Sequence, residues 1–157
     1  MPPPAGNVIS LYSRRSPGGL PIPLEQLGAA VRELNDLRGC VEQIARDPRW
    51  SALEWRAACM PVMLRVPRIR QSLAQLARIR ASQWPDTDWA VRLCAARDDV
   101  ERRLLDVSMS MSALACKETS TADTVADFSS DGIKLAEAVD ELSSLIVSRY
   151  PAAADDV

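Results

Sequence analysis

Histidine is absent from the 157 residues. A mechanism built on an imidazole base, a Ser–His pair or a histidine metal ligand is therefore excluded. Aromatic residues make up only 4% of the chain, so any core must be mainly aliphatic. The four cysteines, Cys40, Cys59, Cys94 and Cys116, contain no CxxC pair, and no histidine could complete a mixed zinc set. Each falls among apolar residues of a predicted helix, where a free thiol behaves as a small hydrophobe. Only two lysines accompany the arginines. With the abundant alanine, that imbalance reads as codon bias in a GC-rich genome rather than a need for guanidinium. The longest apolar run, Ala57 to Leu64, is far short of the ~20 residues of a membrane span. The opening MPPPAGN has neither a basic region nor an apolar stretch of signal-peptide type. These features predict a soluble, reduced, bacterial cytoplasmic protein with no cofactor and no membrane association.

What is present fits one ordinary domain: 47% hydrophobic and 25% charged residues, with a formal net charge of −2. A chain so nearly neutral is not, as a whole, a binder of polyanions. Residues 1–23 hold six of the eleven prolines and three of the six glycines, which forbids a helix or a central strand. They are expected to form a disordered tail with some polyproline II character. Its Val8-Ile9-Ser10-Leu11-Tyr12 island, followed by Arg14-Arg15, suits either a solvated tail or a short docking motif. A helical domain is expected over 24–150, and a frayed end over 151–157.

From Leu24 the apolar period becomes helical: Leu24, Leu27, Val31, Leu34, Leu37, Val41 and Ile44 follow 3-and-4 spacing. Asp47-Pro48 has the form of an N-cap and first-turn proline, starting a second helix with Trp50, Leu53, Ala57 and Met60 on its stripe. Pro61 and Pro67 each remove a backbone donor, so this helix is expected to be kinked or split, with Ile69, Leu73 and Leu76 continuing it to about Gln83. Trp84-Pro85-Asp86-Thr87 caps a third helix bearing Trp89, Leu93, Ala96, Val100, Leu104, Val107, Met111 and Leu114. A fourth carries Val125, Phe128, Gly132, Leu135, Val139, Leu142 and Ile146, and Tyr150-Pro151 stops it. The heptad register runs through Lys117–Thr121 without a slip. This leaves two helices joined by a tight turn, or one helix of roughly 60 residues and about 90 Å. Glu118 and Thr121 on the seam favour the turn. Strands and internal repeats are not indicated. The expected fold is all-α, an antiparallel bundle of about four helices.

Charge is unevenly placed. Residues 1–80 carry twelve arginines against six acids, and residues 81–157 carry seven basic against fifteen acidic residues. Stepping about 100° per residue spreads Arg65, Arg68, Arg70, Arg78 and Arg80 around the second helix rather than along a stripe, which disfavours nucleic acid as a partner. On the fourth helix Asp123, Asp127, Asp131, Glu137 and Glu141, with Lys134, form an acidic ridge opposite Phe128. Were the second and fourth helices neighbours, ridge and arginines would partly pair within the molecule.

Glu33-x-x-Asp36, Asp98-x-x-Glu101 and Glu137-x-x-Asp140 have the spacing by which all-α nucleotide pyrophosphatases hold Mg²⁺. About three such pairs are expected by chance at this composition, and no basic cradle accompanies them. Trp50 and Trp55, beside Arg49 and Arg56, suit anchors of a protein interface, Arg65 and Arg68 extending it. The simpler role is to close one end of the core, as Trp84 and Trp89 would the other. Met60, Met63, Met109 and Met111 could converge on an interior apolar pocket. The function expected is a non-catalytic helical adaptor module, self-associating or binding a helical protein partner. The alternative is a regulator that binds nucleic acid or a small apolar ligand through the basic second helix and bundle interior.

Overall fold

The computed structural model describes residues 19–45, 52–116 and 122–154. They form helices α1 (Leu24–Ala45), α2 (Ala52–Ala77), α3 (Thr87–Cys116) and α4 (Ala122–Arg149). One-turn 3-10 helices cover Ala81–Gln83 and Pro151–Ala154, and no strand occurs among the described residues. Each helix packs on the next, and α1 closes the ring against α4. The fold is thus the expected all-α bundle, with α1 diagonal to α3 and α2 diagonal to α4.

A polar link crosses each of the four seams, and the two on the α3–α4 seam record its antiparallel sense. Ser72 Oγ of α2 donates to Glu33 Oε2 of α1 at 3.0 Å. Arg97 Nη1 of α3 donates to the Leu73 carbonyl of α2 at 3.1 Å. Trp89 Nε1 donates to the Leu145 carbonyl at 2.9 Å, and farther along the same pair Ser110 Oγ donates to Asp131. Arg38 Nη1 of α1 meets Asp140 of α4 at 2.7 Å. Partners on α3 rise from 89 to 110 as those on α4 fall from 145 to 131, so the two helices fold back on one another. The helices Thr87–Cys116 and Ala122–Arg149 are therefore two antiparallel helices, and residues 117–121 lie outside the described set.

The interior is aliphatic, as the shortage of aromatics demands. Leu27, Val31, Leu34, Leu37, Val41 and Ile44 of α1 are all buried. So are the heptad positions Leu93, Val100, Val107 and Leu114 of α3, and Phe128, Leu135 and Leu142 of α4. Burying each such side chain stabilises the fold by about 1.5–3 kcal/mol, which makes these stripes the main force holding the helices together.

Helix α2 narrows one expectation, that it is kinked or split, and corrects another. It runs unbroken from Ala52 to Ala77 through Pro61 and Pro67, so it is not split. Both prolines, and the residues Ala57 and Met63 whose carbonyls they leave without an amide partner, are exposed, which lowers the cost of the missing donors. Its buried stripe runs through Cys59, Val62, Ile69, Leu73 and Leu76, while Ala57 and Met60 point outward. The Asp47-Pro48 start lies outside the described residues.

The packed domain reaches past 24–150 on both sides. Leu20 and Ile22 are buried, and Gly19 turns the chain with φ +80°, a conformation that suits glycine. At the other end Pro151 closes a 3-10 turn that buries Ala153, where fraying was expected. Gly28 makes room for it: a Cβ there would stand 3.1 Å from the Ala153 carbonyl oxygen. Residues 1–18 and 155–157 lie outside the described set.

Trp84, Trp89 and Tyr150 close this end of the core. Asp86 Oδ1 accepts the Trp89 amide at 3.1 Å, capping α3 as predicted. The two indoles meet edge to face at 5.2 Å between centroids, and Trp89 meets Tyr150 likewise at 5.4 Å. Trp89 gives its indole N–H to Leu145, whereas the buried Trp84 Nε1 has no partner among the described residues. Trp89→Phe should therefore cost about 1–2 kcal/mol, a Tm fall of about 2–6 °C, and Trp84→Phe clearly less. Thermal unfolding followed by circular dichroism measures both. An equal or reversed order would contradict the assigned hydrogen bond.

Candidate functional site

The residues singled out from the sequence fall into two groups on opposite sides of the bundle. On α2, Arg68 is exposed and Arg65 is half-buried, its Nη1 donating to the Pro61 carbonyl at 3.0 Å. Arg49 and Trp50 lie outside the described residues, as do the side chains of Trp55 and Arg56. On α4, Asp123, Asp127, Glu137 and Glu141 are exposed. Asp131 leaves the ridge, being half-buried and accepting the Ser110 hydroxyl across the α3–α4 seam.

The expected pairing of α2 arginines with the α4 ridge is corrected. The two helices are diagonal in the ring, so their outer faces look away from each other. Among the described residues, the acids of α4 are met by α1, through Arg38 and Asp140, and not by α2.

The acidic pairs of metal-binding spacing are committed elsewhere. Arg97, with its side chain only 13% exposed, holds Asp98 at 2.5 Å and Glu101 at 2.6 Å. Partial burial pulls the Arg97 pKa down, but hydrogen bonds and charge from Asp98 and Glu101 outweigh it and leave it raised. Glu33 takes the Ser72 hydroxyl and Asp140 takes Arg38. Among the described residues, no three Cys, Asp or Glu side chains are grouped to hold a metal ion.

Two surface grooves flank α3. One of about 810 Å³ lies against α2 and is lined by Arg70, Leu73, Arg97, Glu101 and Leu105, both signs of charge with apolar rungs between. The other, of about 400 Å³, lies against α4 and gathers Asp106, Asp127 and Asp131 around Ser110 and Thr124. Neither is the expected methionine pocket. Met60, Met63 and Met109 are exposed and only Met111 is buried, so these side chains do not converge inside the bundle.

The feature the stripe assignment missed is a second apolar face on α2. Met60, Met63 and Leu64 are 51%, 50% and 68% exposed, and the exposed rings of Pro61 and Pro67 lie among them. Residues 60, 64 and 67 share one side of a helix by 3-and-4 spacing, about half a turn from Val62 and Ile69. That spacing was available in the sequence. The spacing Trp50, Leu53, Ala57 and Met60 obscures it by pointing Met60 inward. On α4, Ile133 is 52% exposed beside the acidic ridge.

No helix among the described residues is long and apolar enough to cross a membrane. Cys40, Cys59 and Cys94 are free thiols. Comparison with protein-family models, with curated proteins and with solved structures finds no match for this chain.

Cys59, on the inner side of α2 directly behind Met60, gives a readout of this helix. Burial pushes its thiol up from 9.0 to about 11. About a thousandth of it is thiolate at pH 8, so alkylation there should be slow in the native protein and fast once unfolded. Because the folded value lies above the unfolded one, this group's contribution to stability is complete below pH 9.0 and is lost as pH rises toward and beyond about 11. Mass-resolved alkylation checks this, and native Cys59 reacting as fast as the unfolded thiol would contradict it.

Proposed function

We propose that the chain is a helical protein–protein interaction module whose docking surface is the outer face of α2. The observation that carries this reading is the cluster of Met60, Met63 and Leu64, half or more exposed, on a helix whose opposite face already fills the core. A helix needs one apolar stripe to join its own bundle; a second one exposes hydrocarbon to water at about 25 cal/mol per Å² unless a partner covers it. Methionine and leucine give such a face adaptable contact, and Arg65 and Arg68 beside it supply the charge that interface rims use. Trp50 and Trp55, with Arg49 and Arg56, are expected from the sequence as further anchors, and their side chains lie outside the described residues.

Placing the photo-crosslinker p-benzoylphenylalanine at position 64, in cells expressing the chain, tests it. Irradiation should give discrete protein adducts from position 64, identifiable by mass spectrometry, and none from a control at the exposed Arg92 of α3. Absence of adducts at 64, or the same adducts from both positions, would contradict the proposal.

A further inference from the structure

We infer that the outer face of α2 docks on the outer face of α4 of a second copy of this chain. This rests on the reading of α2 as a docking surface and names its occupant. Charge carries the argument. From Trp55 to Pro85 the sequence has six arginines and no carboxylate, while α4 has six carboxylates against Lys134 and Arg149. Arg68 and Arg70 of α2, with Arg78 and Arg80 just past its end, are exposed, and so are Asp123, Asp127, Glu137 and Glu141 of α4. Among the described residues none of these eight charges enters an ion pair; the pairs formed use Arg38, Arg97, Arg102, Arg103 and Arg149.

The diagonal placement of α2 and α4 explains why they stay unpaired at home. Their outer faces lie on opposite sides of the molecule, farther apart than the ~8 Å over which charges act at physiological salt. A second copy removes that obstacle. Its α4 brings carboxylates to the arginines, and its exposed Ile133 brings an apolar contact to Met60 and Leu64.

The other self-pairings fail on the same charges. Two α2 faces would bring arginine to arginine, and two α4 faces carboxylate to carboxylate. A polyanion such as nucleic acid would meet arginines spread around α2 rather than along a stripe, and would leave the α4 face without a partner and facing a like charge. The contact is therefore heterologous: each copy uses α2 toward one neighbour and α4 toward the other, forming a ring or an open chain.

Sedimentation equilibrium of the purified full-length chain tests this, with two charge-reversed variants. The weight-average mass should rise with concentration above 17.2 kDa and return toward it as salt increases. Arg65→Glu with Arg68→Glu should stay monomeric, and so should Glu137→Arg with Glu141→Arg, both keeping wild-type helicity by circular dichroism. An equal mixture of the two should associate again, because each variant's altered face then meets an opposite charge. That restoration also shows that both variants are folded. A wild-type chain monomeric at every concentration would overturn the inference, as would a mixture that stays monomeric. Association of the Glu137→Arg, Glu141→Arg variant by itself would overturn it in favour of an α2–α2 contact. Adducts from position 64 with a different protein, beside a monomeric purified chain, would overturn this docking while leaving the interaction-module reading intact.

Discussion

The return of α4 along α3 is the contact on which the rest of the structure depends. Leu93, Val100, Val107 and Leu114 present a heptad stripe, and Phe128, Leu135 and Leu142 present its continuation after the reversal. Neither stripe can be dry without the other. Their closure also supplies the surface on which α1 completes the ring. Two polar links at different heights, Trp89 to Leu145 and Ser110 to Asp131, are specific where oily contact is not, since a slip of one turn would part both and leave the buried Trp89 indole N–H without its acceptor. An aliphatic interior packs well but selects register weakly. In a chain with so few aromatics, the links across the seams share that task.

Ring order then decides what the surface can do. Because α2 and α4 end on a diagonal, a basic helix and an acidic helix are held apart by their own core. Helix α2 has the further peculiarity of two apolar faces. Its inner face, from Cys59 to Leu76, is spent on the bundle; its outer face, with Met60, Met63 and Leu64, is not. The two prolines sit on the exposed side and break no hydrogen bond that the core requires. They mark the outer face as rigid and apolar without disturbing the inner one.

The stripes of α1, α3 and α4 were legible in the sequence because on each the apolar residues that keep unbroken 3-and-4 spacing are the ones that face inward. The capping of α3 by Asp86 was legible for a related reason, since a proline and a carboxylate fix the boundary locally. Helix α2 was not. With apolar residues on two sides, spacing alone does not say which side faces in, and Met60 was placed on the wrong one. Proline allows either a kink or a split, and the exposure that lowers the cost of a stranded carbonyl is not written in the local sequence. The supposed pairing of ridge and arginines failed because adjacency in a bundle is a property of ring order, which no local pattern encodes. The burial of Leu20, Ile22 and Ala153 escaped notice because isolated apolar residues beside prolines carry no period.

The central claim is the diagonal placement of α2 and α4, and a distance measures it directly. Spin labels at Gln71 and Ser144, exposed on α2 and α4, should be separated by about 30 Å in double electron–electron resonance, given interaxial spacings of ~8–10 Å and labels pointing outward. The native cysteines would first be replaced, and labelled chains diluted with unlabelled ones so that only distances within a molecule are read. A distribution centred near 30 Å agrees with the ring described. A main distance of about 20 Å or less would make the two helices neighbours and contradict it.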